Sequence, residues 1–225
     1  MDKVLVVAAH PDDEVLGCGG TLARHVGAGD KVDVLFMTDG VSAREGATAE
    51  DQSERRHSAE QAAHILGVAT LEFLGFDDNR MDAVPLLEVV KKLERYIQKY
   101  TPETVYTHHW GDLNVDHRAS FNALATACRP TPDQCVKKIF CFEVPSSTGW
   151  GASGVDNQFQ PNHFVDISDT IDAKMEALSK YDLELRDYPH ARSLESVRAL
   201  SQYRGATMGV KHAEAFLMYR SISPR

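Results

Sequence analysis

Short apolar runs typical of strands alternate with helix-like segments from the start of this chain to about residue 144, and this alternation limits the folds it can adopt. The strand-like runs are Lys3–Ala9, Lys31–Met37, Thr70–Leu74, Thr104–Thr107 and Lys138–Val144. The predicted helices between them are Thr21–Val26, Ala49–Leu66, Val84–Lys99 and Asp116–Cys128. Strands that alternate with helices predict a doubly wound α/β fold, with a mostly parallel sheet flanked by helices.

The last third of the chain has a weaker pattern. Residues Pro145–Pro161 are rich in Ser, Gly and Asn and predict a long loop, whose length is typical of a lid or the rim of a site. Helices near Asp169–Lys180 and Ser193–Arg204 and a final apolar run at Ala213–Tyr219 follow. We expect one domain over residues 1–225, with these segments forming a C-terminal cap region.

Charge and hydropathy exclude several classes of protein. The formal net charge of −9 and the absence of a basic block argue against an electrostatic nucleic-acid binder. No stretch approaches the roughly 20 apolar residues of a membrane span, and the apolar run Val4–Ala9 is too short for a secretory signal. We therefore expect a cytoplasmic protein. Its four cysteines include no CxxC pair, which favours reduced thiols over a cysteine zinc site. A homo-oligomer remains open.

Two polar clusters follow two strands that the predicted sheet brings together. His10-Pro11-Asp12-Asp13-Glu14 comes directly after the first strand, and His108–His117 follows the fourth. In a sheet of strand order 3-2-1-4-5, the order reverses between strands one and four, and ligands bind at that point beyond the carboxyl ends of the strands. Buried carboxylates without partners are costly, so a bound cation explains this concentration. Histidine and carboxylate ligands suit zinc, although iron and cobalt also accept them.

The residues that carry these clusters resemble a known family. Ala9–Glu14, followed by Gly17-Cys18-Gly19-Gly20-Thr21, is similar to the first motif of the LmbE/PIG-L family of zinc-dependent de-N-acetylases, and Asp116-His117-Arg118 is similar to its second. The resemblance implies a Rossmann-like fold and hydrolysis of an N-acetyl group, often on a glucosamine unit.

Motif position then implies a set of roles. His10, Asp13 and His117 would bind Zn²⁺, and Asp12 would be the general base that activates water. Asp116 would orient a ligand rather than bind the metal. An acetylated amino sugar, a nucleotide sugar or a glycoconjugate is the expected substrate.

The chain departs from the family three residues before His117. Many members have a histidine there, assigned to oxyanion stabilisation or acid catalysis, whereas this chain has Asn114. Asparagine can donate a hydrogen bond to an oxyanion but cannot deliver a proton at neutral pH. The acid for the leaving amine is therefore open: His190 is the candidate replacement, and protonated Asp12, His108 and His109 are alternatives.

Two further residues are candidate substrate contacts. Arg55 shares a helical face with Ala59, Ala62 and Leu66, and the family often has an arginine here. It therefore either contacts substrate, forms an internal ion pair, or extends along the apolar face to solvent. Asp78 follows the third strand and either contacts a sugar hydroxyl or forms an Asx-turn. Trp110 and Trp150 lie in predicted loops, where a tryptophan either packs or stacks on a sugar.

The glycines after Glu14 do not indicate a dinucleotide site, because Leu22 occupies the last glycine position of that pattern. They instead predict a tight turn and close packing near the metal cluster. Two alternatives to the sugar deacetylase stay open on the sequence: an amidohydrolase that acts on another N-acyl amine, and a non-catalytic binding module stabilised by metal.

Overall fold

The computed structural model describes residues 1–151, 154 and 157–223. Within them, seven strands form one sheet and six α-helices pack on its faces. The strands are β1 (Lys3–Ala8), β2 (Lys31–Thr38), β3 (Thr70–Phe76), β4 (Thr104–His108), β5 (Lys138–Phe142), β6 (His163–Asp166) and β7 (Ala213–Ser221). The helices are α1 (Asp13–Gly27), α2 (Ala49–Leu66), α3 (Leu86–Tyr100), α4 (Val115–Ala127), α5 (Ile171–Leu178) and α6 (Leu194–Ala206).

The sheet has the order β3-β2-β1-β4-β5-β7-β6. The first five strands run parallel, and β7 is antiparallel to both β5 and β6. The first five strands have the order 3-2-1-4-5 that was assumed above, and the predicted mostly parallel α/β fold is confirmed. The chain crosses from one side of β1 to the other between β3 and β4, so the strand order reverses between β1 and β4.

Alternate residues of the central strand β1 face two separate cores. Val4, Val6 and Ala8 pack towards α1, α2, α5 and α6. Leu5 and Val7 pack on the other face, towards α3 and α4. A strand covered on both faces needs a continuous apolar sequence, which is why the β1 sequence does not alternate with polar residues.

Helix α1 differs from the prediction. We expected a short helix at Thr21–Val26 after a tight turn, but the helix begins at Asp13 and continues through the glycines with a kink at Cys18. Three glycines in four positions lower helix propensity by roughly 1 kcal/mol each, so the local sequence suggests a turn. The expected close packing is present, because a Cβ atom on Gly17 would lie 2.3 Å from the Phe142 ring.

A kink at Cys18, where φ is −147°, divides α1 into two parts. Residues from the C-terminal region satisfy the backbone groups that the kink exposes. The Glu214 carboxylate on β7 accepts hydrogen bonds from Gly20 N at 3.0 Å and Thr21 N at 2.7 Å. Lys174 on α5 donates to Leu16 O at 2.9 Å and to Glu214 at 2.6 Å. The C-terminal region thus fixes the angle of the helix that begins with Asp13.

The two predicted C-terminal helices are present as α5 and α6, and the last apolar run forms β7. Strand β6 was not predicted, because its four residues are too short to give a pattern. The predicted loop Pro145–Pro161 contains a 3-10 turn at Thr148–Trp150, while its residues 152, 153, 155 and 156 lie outside the described residues. No helix among the described residues has the length and hydropathy needed to cross a bilayer.

Candidate metal centre

The two polar clusters meet between the ends of β1 and β4. His10 follows β1, Asp13 is the first residue of α1, and His117 lies in the first turn of α4. His10 Nδ1 lies 3.2 Å from Asp13 Oδ2 and 3.3 Å from His117 Nε2. His117 Nε2 lies 3.2 Å from the same Asp13 oxygen. Three ligand atoms therefore form a nearly equilateral triangle.

The size of this triangle fits a tetrahedral metal ion. With bonds of about 2.0–2.1 Å to nitrogen and oxygen, two ligands of tetrahedral zinc are separated by roughly 3.3 Å. The three observed edges of 3.2, 3.2 and 3.3 Å agree with that separation. All three side chains are buried, at 8%, 1% and 1% exposure for His10, Asp13 and His117. Three protein ligands leave a fourth position for water, as in catalytic zinc sites.

Each histidine turns its other ring nitrogen to carboxylates. His10 Nε2 lies 3.1 Å from Asp78 Oδ1 and 3.2 Å from Asp116 Oδ2. His117 Nδ1 lies 3.1 Å from Asp112 Oδ2. Such contacts fix the tautomer and the ring orientation of metal-binding histidines. His10, Asp78 and Asp116 also form a compact group. That group uses His10 Nε2, the ring nitrogen opposite to the triangle, and two backbone N–H groups already donate to Asp116, so the triangle is the better candidate for a metal site.

The electrostatics of the cluster favour a bound cation. Burial opposes charge on His117, but Asp13 and Asp112 outweigh it and raise the His117 pKa to about 9. Burial likewise opposes charge on His10, but hydrogen bonds to Asp116 and Asp13 outweigh it and raise the His10 pKa. Burial would raise the Asp13 pKa, but the charge of His117 and the hydrogen bonds to His10 and His117 lower it well below its usual range. The carboxylates thus stabilise positive charge at the two histidines, and a bound metal ion would supply that charge in place of protons.

Asp12 lies beside the triangle without being part of it. Its φ of 115° is in the left-handed region that side chains rarely adopt, and backbone strain of this kind is concentrated at functional sites. Its carboxylate is buried and faces two arginines, with Arg55 Nη2 at 3.5 Å and Arg192 Nη1 at 3.4 Å. Burial raises the Asp12 pKa, and the charges of Arg55 and Arg192 oppose that rise.

Arg55 and Asp78, the two predicted substrate contacts, have internal partners. Arg55 is 5% exposed and pairs with Glu184 at 2.7 Å as well as facing Asp12. Asp78 is 3% exposed and accepts from Ala43 N at 3.3 Å besides contacting His10. The internal ion pair that we weighed for Arg55 is present. Substrate contact by either residue stays a prediction.

The two other predicted catalytic residues are Asn114, three residues before His117, and His190, two residues before Arg192. Asn114 is the N-cap of α4, and its Oδ1 accepts from Asp116 N at 2.8 Å and His117 N at 3.4 Å. It therefore orients the turn that carries His117. His190 accepts from Arg192 N at 3.0 Å, and its ring meets the edge of Trp150 at 6.0 Å. Catalytic roles for both residues stay predictions.

His108 and His109, named above as alternative acids, have other roles in the structure. His108 Nε2 accepts a hydrogen bond from Ala9 N at 2.8 Å, and its ring stacks on His117 with centroids 3.9 Å apart. His109 Nε2 contacts the Asn157 carbonyl at 3.1 Å. Burial lowers the pKa of both histidines, which keeps them neutral. His108 supports His117, and His109 anchors the long loop. Trp110 packs on Phe121, while Trp150 is 55% exposed.

Sequence reasoning missed several residues of this centre. Asp112 could have been found, because it lies in the same loop as His108 and His117 and is an acid beside a predicted ligand. Glu184, Arg192 and Tyr181 gave no such signal, because each is more than 120 residues from its partner near Asp12. Only the folded chain brings them together.

Comparisons with known proteins agree with this geometry. The family model PIG-L, described as GlcNAc-PI de-N-acetylase, matches residues 5–128, more than half of the chain. The uncharacterised deacetylase YaiS of Escherichia coli K12 is 32% identical over 184 residues, covering 79% of this chain and 89% of YaiS. The diacetylchitobiose deacetylase of Thermococcus kodakarensis is 28% identical, covering 94% of this chain and 81% of that enzyme.

The fold is shared over the whole chain. The crystal structure of the conserved protein TT1542 from Thermus thermophilus has a TM-score of 0.79 at 28% identity and covers 100% of this chain and 98% of its own. The matched region 5–128 contains both polar clusters and the strands that bring them together. Motifs, site geometry and similarity thus lead to one assignment, and the chain belongs to the PIG-L family.

Proposed function

We propose that this protein is a zinc-dependent hydrolase that removes an N-acetyl group from a substrate containing an amino sugar. The observation that carries the proposal is the triangle of His10 Nδ1, Asp13 Oδ2 and His117 Nε2, with the buried carboxylate of Asp12 beside it. Two imidazoles and one carboxylate are a ligand set of zinc hydrolases. Bound there, zinc supplies a water of lowered pKa and polarises a carbonyl oxygen.

Asp12 acts as the general base in this proposal. Its carboxylate is not needed as a ligand, it belongs to the same short segment as two ligands, and burial keeps bulk water from it. Arg55 and Arg192 limit its rotation, since they lie 3.5 and 3.4 Å from its two oxygens. Asp12 takes the proton of the attacking water and holds it until the amine leaves.

The leaving amine needs a proton as the amide bond breaks. Asp12, protonated in the first step, can return it, and His190 is the second candidate because Arg192 ties it to the same side of the site. Asn114 lies at the start of α4, from where its amide can serve as a donor to the developing oxyanion.

The substrate class is supported by the named activities of relatives. The Thermococcus kodakarensis relative is a diacetylchitobiose deacetylase, and the family model is named for a GlcNAc-PI de-N-acetylase. In this proposal Arg55 and Asp78 lie close enough to the metal centre to contact the sugar. Trp150, exposed at the rim, offers a ring on which a sugar face can stack.

The test uses protein freed of metal by chelation and then reloaded with one equivalent of zinc. We expect acetate and primary amine in equal amounts from N-acetylglucosamine or diacetylchitobiose, and less from N-acetyl amino acids. If only the N-acetyl amino acids release acetate, the substrate is another N-acyl amine and not an amino sugar. No acetate from either group, with zinc bound, would refute the hydrolase.

A second arm tests the general base. Asp12→Asn should keep zinc and fold but lose nearly all activity, while Asp133→Asn, at an exposed position, serves as the matched control. Loss of zinc or of the fold in Asp12→Asn would show that Asp12 is structural and would favour a metal-stabilised binding module.

A further inference from the structure

Glu14 is a buried acid to which the proposed mechanism gives no role. It is 3% exposed and lies directly after Asp13. One carboxylate oxygen, Oε2, accepts the backbone N–H of Asp12 at 2.9 Å. The other, Oε1, accepts the hydroxyl of Tyr181 at 2.5 Å. Glu14 therefore links the backbone of Asp12 to a tyrosine 167 residues away in sequence.

This link acts on a strained residue. Asp12 has a φ of 115°, which only surrounding contacts can maintain in a residue with a side chain. The hydrogen bond from Asp12 N to Glu14 holds the peptide on the N-terminal side of that dihedral angle. Because φ sets the direction of the Cα–Cβ bond, the same contact sets where the Asp12 carboxylate lies.

Tyr181 also supports the side chain of Asp12 from a second direction. The Arg55 guanidinium lies over the Tyr181 ring at 5.4 Å, and Arg55 Nη2 faces Asp12 Oδ1 at 3.5 Å. One tyrosine thus contacts two of the three groups that position Asp12: Glu14 at its backbone and Arg55 at its carboxylate, with Arg192 as the third. Tyr181 is 1% exposed, so neither contact competes with bulk water.

The place of Tyr181 in the chain makes this support rigid. It follows α5 in a turn in which Tyr181 N donates to Leu178 O at 3.1 Å and Tyr181 O accepts from Glu184 N at 2.8 Å. Glu184 in turn pairs with Arg55 at 2.7 Å. The segment lies beyond residue 128, where the family match ends.

We infer that Tyr181 is a positioning residue, which holds Asp12 in its strained conformation through Glu14 and through Arg55. The inference rests on the proposed function only where kcat is measured, because the exchange of the Asp12 amide can be followed whether or not the protein is a hydrolase. Asp13, the neighbouring ligand, has its own contacts to His10 and His117, so metal binding does not depend on Tyr181.

The test compares Tyr181→Phe with a matched control. Tyr100→Phe removes the same kind of contact, because the hydroxyl of the buried Tyr100 donates to the Glu72 carboxylate at 2.6 Å. Tyr100 lies beside Lys31 at the start of β2, at the end of the strands opposite to the metal centre. Zinc affinity, kcat, KM and amide hydrogen exchange are measured for each variant. We expect Tyr181→Phe to lower kcat by about ten- to a hundredfold, since small misplacement of a catalytic group has effects of that size.

Four further results belong to the expectation. KM and zinc affinity stay within about twofold, and kcat is expressed per zinc-loaded folded protein, because a smaller folded fraction alone would lower the apparent kcat without changing KM. The Asp12 amide exchanges about tenfold faster or more, while β1 amides keep their protection. Tyr100→Phe matches the wild type. Glu14→Gln keeps more activity than Glu14→Ala, because glutamine can still accept from Asp12 N and donate to Tyr181.

The inference would be overturned if Tyr181→Phe kept the wild-type kcat and the wild-type exchange rate of the Asp12 amide. Equal loss of protection at Asp12 and along β1 would also overturn it, because that result would give Tyr181 a general structural role. If the wild-type protein releases no acetate, the proposed function fails, and the Asp12 exchange comparison still decides whether Tyr181 positions Asp12.

Discussion

Replacing Asp112 with asparagine removes a negative charge from behind His117 while it changes the shape of the side chain very little. Asp112 Oδ2 lies 3.1 Å from His117 Nδ1, on the side of the ring opposite to the triangle. The same carboxylate accepts hydrogen bonds from Ser147 Oγ at 3.0 Å and Thr148 Oγ1 at 2.6 Å. It is 2% exposed, so solvent does not replace the lost charge.

The size of the effect follows from the His117 pKa. A pKa of about 9, against the ordinary 6.5, corresponds to about 3 kcal/mol of net stabilisation of the charged ring by its surroundings. Asp13 and Asp112 supply the favourable part. With about half of this net value assigned to Asp112, its loss weakens binding of a cation at His117 by roughly 1.5–2 kcal/mol, or about 10- to 30-fold in affinity. This lies within the 10- to 100-fold usual for carboxylates behind metal-binding histidines.

Zinc affinity of Asp112→Asn is measured by competition with a chromophoric chelator at fixed pH. Asp30→Asn is the matched control, because Asp30 also contacts a histidine, with His25 Nδ1 at 2.8 Å, but near the opposite end of β1. We expect the control to bind zinc like the wild type. Wild-type zinc affinity in Asp112→Asn, with the fold retained, would refute this account of how His117 is prepared for a metal ion.

Three more predictions concern the ligand set, the helix cap and the kinked helix. His117→Ala should lower zinc affinity by more than Asp112→Asn does, and full zinc occupancy by elemental analysis would remove His117 from the ligand set. Asn114→Asp should keep the melting temperature, because aspartate also caps helices, but it should lower kcat, because a carboxylate cannot donate to an oxyanion. Asn114→Ala should lower kcat as well and should also lose about 1 kcal/mol of stability in a denaturant titration. Gly17→Ala should lower the free energy of unfolding by about 1–3 kcal/mol, because the new Cβ would lie 2.3 Å from Phe142, and calorimetry should show a lower melting temperature. Gly27→Ala is the control and should not lower the melting temperature, because its Cβ would meet no other part of the chain within 4 Å.

The sheet and the meeting of His10, Asp13 and His117 could be predicted from the sequence because both depend on local patterns. A strand buried on both faces requires the continuous apolar run of β1, and the alternation of strands with helices predicts a doubly wound parallel sheet, for which the order 3-2-1-4-5 was assumed. Once that order was assumed, the loops after β1 and β4 had to meet, and His10, Asp13 and His117 are close together as expected.

The remaining features depend on contacts between distant segments, which a local pattern does not contain. Helix α1 runs through three glycines, and Gly17 and Gly20 are needed there because Phe142 and Ile167 fill the space that a Cβ atom would take. The partners of Asp12 in the C-terminal region lie on turns without a motif. Charged residues on such turns are usually solvated, so no local pattern indicated that Arg192 lies near Asp12.

The position of β7 has a consequence for how the chain reaches this structure. Residues 213–221 lie between β5 and β6, so β6 has no strand partner until the segment after it has been synthesised. Glu214, which satisfies the kink of α1, belongs to the same late segment. A nascent chain that stops short of residue 213 therefore exposes the edge of β5, which is open to pairing with other chains. Final packing of α1 and of the β5 edge thus follows translation of the last strand.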